Sequence, residues 1–258
     1  QSSYSKRDFS IFKKSIDNGP HLENYVLRMF CKELLISGSD DDFEEFYDIF
    51  TRRLIYEYTD NDCIEAISCV LARMYRLKNL SDDFQHHAAQ DIATRVMELP
   101  QIQNARTVSL FLSFDGELNT RPLIERLWQA GKSVYLPVLH PFSRGNLLFL
   151  RYSAESEMVL NHFGIEEPRL NVQQVLPVSR LDIIFTPLVA FDATGQRLGM
   201  GGGFYDRTLQ DWESAYAQQC GPYPIGLAHD CQRVDALPVQ EWDVPLPEII
   251  TPSTHYRW

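Results

Sequence analysis

Four glycines, two arginines and one carboxylate fall within eleven residues, RLGMGGGFYDR at 197–207. Glycine has no Cβ, so a run of it lets backbone N–H groups approach an anion closely. A helix N-terminus that follows adds partial positive charge. Arg197 and Arg207 have the chemistry to neutralise phosphate oxygens, and Asp206 has the chemistry to hold a divalent metal bridging them. Polyphosphate binding is the reading these residue types support. The run lacks the GK[ST] ending of a P-loop and its spacing is not GxGxxG, so a tight structural turn stays open beside it.

Such a loop needs a strand before it and a helix after it. Residues 181–188 read as a buried strand ending at Pro187, and residues 208–216 read as a helix. The same alternation runs from Thr107 onward, with strands expected over 107–114, 134–139, 147–152, 225–227 and 249–250 and a helix over 121–130. Strands separated by helices imply an α/β fold with a mixed or parallel sheet flanked by helices. Ligands in such sheets gather at the carboxyl ends of the strands.

The first part of the chain has another character. Residues 22–36, 43–58 and 60–77 carry apolar side chains at helical spacing, with Asp40, Asp41 and Asp42 as the expected cap and first turn of the second helix. A fourth helix is expected from Ser81 to a stop at Pro100. Residues 1–79 therefore read as an all-helical extension of unassigned role and residues 80–258 as the α/β domain. The aromatics Phe43, Phe46, Tyr47 and Phe50 recur at helical spacing, the pattern of a core.

A formal net charge of −11 over 258 residues argues against generic nucleic-acid or anionic-membrane binding, so an anionic substrate needs a local basic pocket. No apolar run approaches a membrane span, and no signal-peptide pattern opens the chain. The five cysteines show no CxxC spacing, which fits reduced thiols and makes the cytoplasm the expected compartment. The seven histidines form no clear metal spacing, and His229 reads as a polar loop residue.

LGMGGGFYDR resembles the signature of the 5-formyltetrahydrofolate cyclo-ligase family, also called methenyltetrahydrofolate synthetases. The resemblance extends over about 80–258 and includes SLFLSFDGELNT (109–120), AGKSVYLPVLHP (130–141), LDIIFTPLVAFDATGQRLGMGGGFYDR (181–207) and LPVQEWDVPLPEIITP (237–252). It implies a Rossmann-like fold shared with sugar-phosphate isomerases and CoA transferases. It also implies ATP- and Mg²⁺-dependent closure of 5-formyltetrahydrofolate to 5,10-methenyltetrahydrofolate, through a phosphorylated formyl (iminium phosphate) intermediate, with release of ADP and phosphate.

By motif position the resemblance assigns ATP to Arg197, Leu198, Gly199, Met200, Gly201, Gly202, Gly203, Phe204 and Tyr205, with Arg76 and Lys78 as phosphate cations. Met200 to Phe204 also border the folate, together with Leu112 and Glu117. Asp206 and Asp243 become the magnesium carboxylates. A carboxylate suits the N–H edge of a reduced pterin, although Glu117 also reads as a helix-start charge. No residue is assigned a covalent or acid–base role.

The amino end departs from the family. The usual early lysine falls on Ala66 and the arginine four residues later on Val70, which leaves Arg76 and Lys78, with Arg73 nearby, as cations. This motivates a second reading, a catalytically impaired member that binds nucleotide or folate, or engages a protein partner through its helical extension. A fold relative acting on a sugar phosphate or CoA ester fits the GMGGGFYD run poorly.

Overall fold

The computed structural model describes residues 9, 11–16, 22–78, 82–113, 116–143, 145–161 and 164–258. The helical layer contains α1 (Asn24–Ser37), α2 (Asp40–Ile49) and α3 (Asn61–Lys78). Helix α1 buries Leu27, Phe30, Cys31 and Leu34, and α3 buries Ile67, Val70, Leu71 and Met74. Phe30 meets Phe46 edge-on at 5.0 Å and Phe50 at 5.9 Å, so the expected aromatic stripe is indeed core.

Two local expectations are corrected here. Ser39, rather than an aspartate, caps α2: its hydroxyl accepts from the Asp42 N–H, and the Asp42 carboxylate accepts from the Ser39 N–H at 2.8 Å. The single helix expected over 43–58 is divided by a π-helical turn at Phe50–Leu54, followed by a short turn, Ile55–Glu57. That wider turn keeps Phe50, Leu54 and Ile55 all buried. Residues 79–81, with the expected Ser81 cap and domain boundary, lie outside the described residues.

Helix α4 (Asp82–Met97) precedes α5 (Pro100–Asn104). Pro100 starts that second helix instead of ending a chain segment, because proline at the first turn has no N–H to lose. The body then runs β1 (Thr107–Ser109), α6 (Arg121–Gln129), β2 (Ser133–Leu139), β3 (Leu147–Tyr152), β4 (Met158–Leu160), β5 (Glu166–Pro168), β6 (Val175–Leu176) and β7 (Ile183–Thr186). It continues with β8 (Ala190–Phe191), β9 (Arg197–Leu198), α7 (Phe204–Leu209), α8 (Trp212–Ala217), β10 (Tyr223–Leu227), β11 (Glu248–Ile250) and β12 (His255–Arg257).

Eight strands form one sheet in the order β12-β11-β10-β7-β1-β2-β3-β6. The five central ones, β11 to β2, are parallel, and antiparallel β12 and β3-β6 extend the two edges. The mixed α/β architecture expected from the sequence is therefore present. One face packs on α4 and α6 through Ile92, Val96, Leu123 and Leu127; the other packs on Leu209 and Trp212 of the α7–α8 segment.

Strand β1 is shorter than the expected 107–114. The Leu110 N–H still donates to the Tyr135 carbonyl of β2 at 3.0 Å, but the Phe111 carbonyl accepts from the Thr120 hydroxyl at 2.5 Å instead of from a neighbouring strand. Phe114 and Asp115 lie outside the described residues. Strand β7 likewise ends at Thr186, and the two-stranded hairpin β8–β9 separates it from the glycine run.

That hairpin joins the two parts of the chain. Val189, Ala190 and Leu198 share one apolar cluster with the buried faces of α1 and α3, and Val234 and Leu237 complete it. The helical layer thus packs directly on the segment that carries the glycines.

Candidate functional site

The glycine run follows β9 and opens α7. Gly201 and Gly203 have φ of +82° and +59°, the left-handed region that glycine enters without strain. Gly203 is the N-cap of α7, and the helix expected over 208–216 instead begins at Phe204 and breaks between Leu209 and Trp212. The sequence expectation of strand, glycine turn and helix holds in order, with a hairpin inserted before the turn.

The two arginines of the run have different tasks. Arg207, expected to face phosphate, donates from Nε to the Gly145 carbonyl at 2.7 Å and from Nη2 to the Gly202 carbonyl. It clamps the glycine loop to the β2–β3 loop and covers the Phe204 ring at 5.7 Å. Arg197 is only 4% exposed in its side chain and donates from Nη2 to Asp206 Oδ1 at 2.7 Å. Its Nε is buried without a partner, an unusual state for a charged donor.

Asp206 Oδ1 also accepts from the Val244 N–H at 3.4 Å, so its contacts end on one oxygen and leave Oδ2 to bind something else. Val244 follows Asp243, whose Oδ2 accepts from the Gln240 N–H at 2.8 Å. Burial, with added repulsion from Asp206, raises the Asp243 carboxyl above the usual carboxylate range. The structure therefore brings together two carboxylates far apart in sequence. A cation between them would relieve the repulsion, and such a sparse carboxylate set suits magnesium, which keeps water and phosphate ligands. Among the described residues no group of three or more His, Cys, Asp and Glu forms a metal cluster.

Tyr205 links this end of the site to the other. The Arg197 guanidinium lies 5.8 Å from its ring centre, and burial together with the Glu117 charge raises its phenol. Glu117 is half-buried in the loop after β1, and Leu112 in the same loop packs against the sheet's apolar cluster. Met200 is exposed at the glycine loop, Leu198 is buried in the layer's core, and Phe204 is half-buried. The Leu198 side chain is thus turned away from the glycine loop's surface, and its carbonyl accepts from the Val189 N–H at 2.7 Å.

The cations of α3 diverge. Arg76 packs so closely on the β1 loop that a Cβ at Gly116 would lie 2.6 Å from its Cα. Lys78 turns instead toward α2, with Nζ 3.9 Å from Glu44 and 3.6 Å above the Tyr47 ring. Arg73 turns the same way, toward Asp40 and Phe43. Val70, at the position where the family motif has arginine, is fully buried in the layer's core. On the glycine loop lies an exposed acid: a Cβ on Gly201 would come within 2.8 Å of Glu65 Cγ.

His229 was not distinguished by its sequence context. It follows the carboxyl end of β10, is buried, and its pKa is lowered to about 4 by burial. Gln85 Nε2 lies 3.3 Å from its Nε2, and the buried ring caps the 3₁₀ turn Asp230–Gln232. Ser109 Oγ and Thr186 Oγ1, at the ends of β1 and β7, are buried and unpartnered. The one sequence signal for His229 was its place directly after a short apolar strand.

Similarity to known proteins covers the α/β body and the end of α3. Residues 72–252 match the model of the 5-formyltetrahydrofolate cyclo-ligase family. A 5-formyltetrahydrofolate cyclo-ligase of Escherichia coli (strain K12) is 60% identical over 183 residues, covering 71% of this chain and 98% of the relative. The enzyme of that name from Haemophilus influenzae is 53% identical over 172 residues, covering 67% and 89%. Among solved structures, the NMR structure of Aquifex aeolicus 5,10-methenyltetrahydrofolate synthetase matches with a TM-score of 0.60 and 25% identity, covering 74% of this chain and 92% of that one.

Proposed function

The chain belongs to the 5-formyltetrahydrofolate cyclo-ligase family, and from that premise we propose how its own residues divide the work. It is an ATP-dependent ligase that converts 5-formyltetrahydrofolate to 5,10-methenyltetrahydrofolate. The ATP phosphates lie on the N–H groups of Gly199 to Phe204, at the start of α7. Arg197 faces them with the donor capacity its bond to Asp206 leaves over. Asp206 Oδ2 and Asp243 hold Mg²⁺, which when bound screens the phosphate charge. Leu112 and Glu117 receive the pterin, with the carboxylate accepting from its N–H edge.

The observation that carries this reading is the link between the two ends. The Arg197 guanidinium lies 5.8 Å from the Tyr205 ring centre and grips Asp206, and Glu117 lies near enough to the same phenol to help burial raise it. A folate at Glu117 and a phosphate at the glycines would therefore meet over Tyr205. Alignment of the two reactants is the main catalytic contribution of such a site. The formyl oxygen takes the terminal phosphoryl group as the bond to ADP breaks. N10 then attacks the formyl carbon and loses its proton, and the oxygen leaves in phosphate. Tyr205 and Phe204 wall this point against water, and no side chain forms a covalent bond.

The test is the absorbance of 5,10-methenyltetrahydrofolate after mixing the chain with 5-formyltetrahydrofolate, ATP and Mg²⁺. Product that disappears when either ATP or metal is omitted supports the reading. Glu65 against Gly201 and the diversion of Lys78 to Glu44 favour a second reading, an impaired member that binds its ligands without turnover. ATP binding with no product under these conditions would select it. Among the described residues no helix is long and apolar enough to cross a membrane.

A further inference from the structure

The guanidinium of Arg207 sits between two glycines from different loops. A Cβ on Gly145, in the β2–β3 loop, would lie 2.6 Å from its Cζ, and a Cβ on Gly203 would lie 2.9 Å from its Nη1. Both glycines have left-handed φ, +81° and +59°, so a larger residue at either would be strained and would collide with the guanidinium. Nε donates to the Gly145 carbonyl at 2.7 Å and Nη2 donates to the Gly202 carbonyl. The Phe204 ring lies 5.7 Å from Cζ and packs on Gly202, where a Cβ would come within 2.5 Å of it.

A trans peptide is planar, so a carbonyl held toward Arg207 turns the N–H of the next residue to the opposite side. The grip on the Gly202 carbonyl therefore sets the direction of the Gly203 N–H. The N–H groups of Gly201, Gly202 and Gly203 donate to no acceptor among the described residues. We propose that Arg207 is a positioning residue for the triphosphate: by holding the Gly202 peptide it aims the glycine N–H groups at the phosphates, without touching them itself. This rests on the reading of ATP at the glycine loop. A glycine run can turn its peptides either way, so convergent N–H groups need an external grip. Donors fixed in advance bind an anion at less cost in ordering.

The far end of this clasp is fixed as well. His140 Nδ1 accepts from the Phe142 and Ser143 N–H groups at 3.2 and 3.0 Å, and the His140 N–H donates to the Asn146 carbonyl at 3.0 Å. The Asn146 side chain donates to Ser143 Oγ at 2.7 Å. These bonds close the loop on itself and hold Gly145 at the end of the β2–β3 pair, whose register runs from Val134–Tyr152 to Leu139–Leu147. The glycine run is thus anchored to the sheet through Arg207. A planar fork on two carbonyls is a task that the point charge of a lysine does not perform.

Calorimetric titration of the full chain with ATP, with inorganic triphosphate (each with Mg²⁺) and with 5-formyltetrahydrofolate tests the assignment. Arg207→Lys keeps the charge and loses the fork, so it should weaken ATP and triphosphate alike, about ten-fold, and leave folate binding unchanged. His140→Ala loosens the far end of the clasp and should give a smaller loss of the same kind. Near-wild-type binding by Arg207→Lys would overturn the proposal, because a cation facing phosphate survives that exchange. An equal loss for the folate, with a lowered melting temperature, would overturn it too, by showing a merely structural clasp. A wild-type chain that binds neither ATP nor triphosphate would overturn the nucleotide reading itself, and the positioning role with it.

Discussion

The helical layer and the α/β body each build an apolar core, and each leaves buried polar atoms without partners, but they place those atoms differently. In the layer, Glu57 Oε2 and the Tyr75 hydroxyl are buried without partners, each on a helix or turn packed against its neighbours, while the Tyr58 hydroxyl donates to the Leu22 carbonyl at 2.8 Å. In the body, Ser109, Thr186, Arg197 and His229 all end in buried atoms without partners, and all lie at or beyond the carboxyl ends of strands or next to the glycine run. Unsatisfied groups are expensive, and the four of the body gather about the edge that carries the glycine run, whereas the two of the layer are scattered through its packing. The contrast teaches that position, more than the mere presence of an unpartnered group, sets the edge of the body apart from the layer. The layer nevertheless reaches the edge at two points, Glu65 on Gly201 and Arg76 on Gly116.

The largest test of this contrast is Asp206→Asn. Loss of the metal carboxylate should lower turnover about 10³-fold, the scale of removing one preorganised electrostatic contact. The motif alone suggests an intact fold for this variant. The buried pair with Arg197 predicts a cost as well, about 1–3 kcal/mol, because the guanidinium keeps an oxygen acceptor but loses its counter-charge. Steady-state kinetics and urea denaturation separate the two effects. A variant with wild-type turnover removes Asp206 from the metal site.

A second test uses pH. The His229 pKa falls from 6.5 to about 4 on folding, so between those values the unfolded chain binds more protons and stability rises with pH. Going from pH 7 to pH 5 should cost wild type about 2 kcal/mol through this residue. His229→Gln should lose less over the same interval in matched denaturation curves. Identical slopes for both proteins would mean that the imidazole is not buried as a neutral ring.

The smallest expected effect sharpens the contact between the two regions. Glu65→Gln removes a negative charge beside the phosphate cradle and should lower KM for ATP about 2–5-fold at low salt, with less change at high salt. KM for folate should stay constant. An unchanged KM for ATP at low salt would show that the layer touches the loop sterically and exerts no electrostatic influence there.

Much of the site was legible in residue order. The glycine run, Asp206 and Glu117 are local signals, because turn chemistry and motif spacing act over a few residues. Asp243 was legible through its EWDVPL context alone, and its meeting with Asp206 depends on the chain's return past the sheet. The diversion of Lys78 and Arg73 toward α2 was hidden, because Glu44, Tyr47, Asp40 and Phe43 lie some thirty residues away. The β8–β9 hairpin was missed because two-residue strands carry too little pattern to register. The task of Arg207 was missed because its acceptors are backbone carbonyls, which no side-chain pattern reveals.

By itself the sequence determined most of the longer elements, the α/β class of the body, a glycine turn between a strand and a helix and the family to which the body belongs. These depend on local sterics, periodicity and motif order. Tertiary structure decided which elements meet. It placed α3 across the glycine loop, put Arg197 in a buried pair with Asp206, and buried His229 as a neutral ring. Burial and partnership are properties of contacts between distant segments, and a residue's charge state and hydrogen bonds follow from them rather than from its neighbours in the chain.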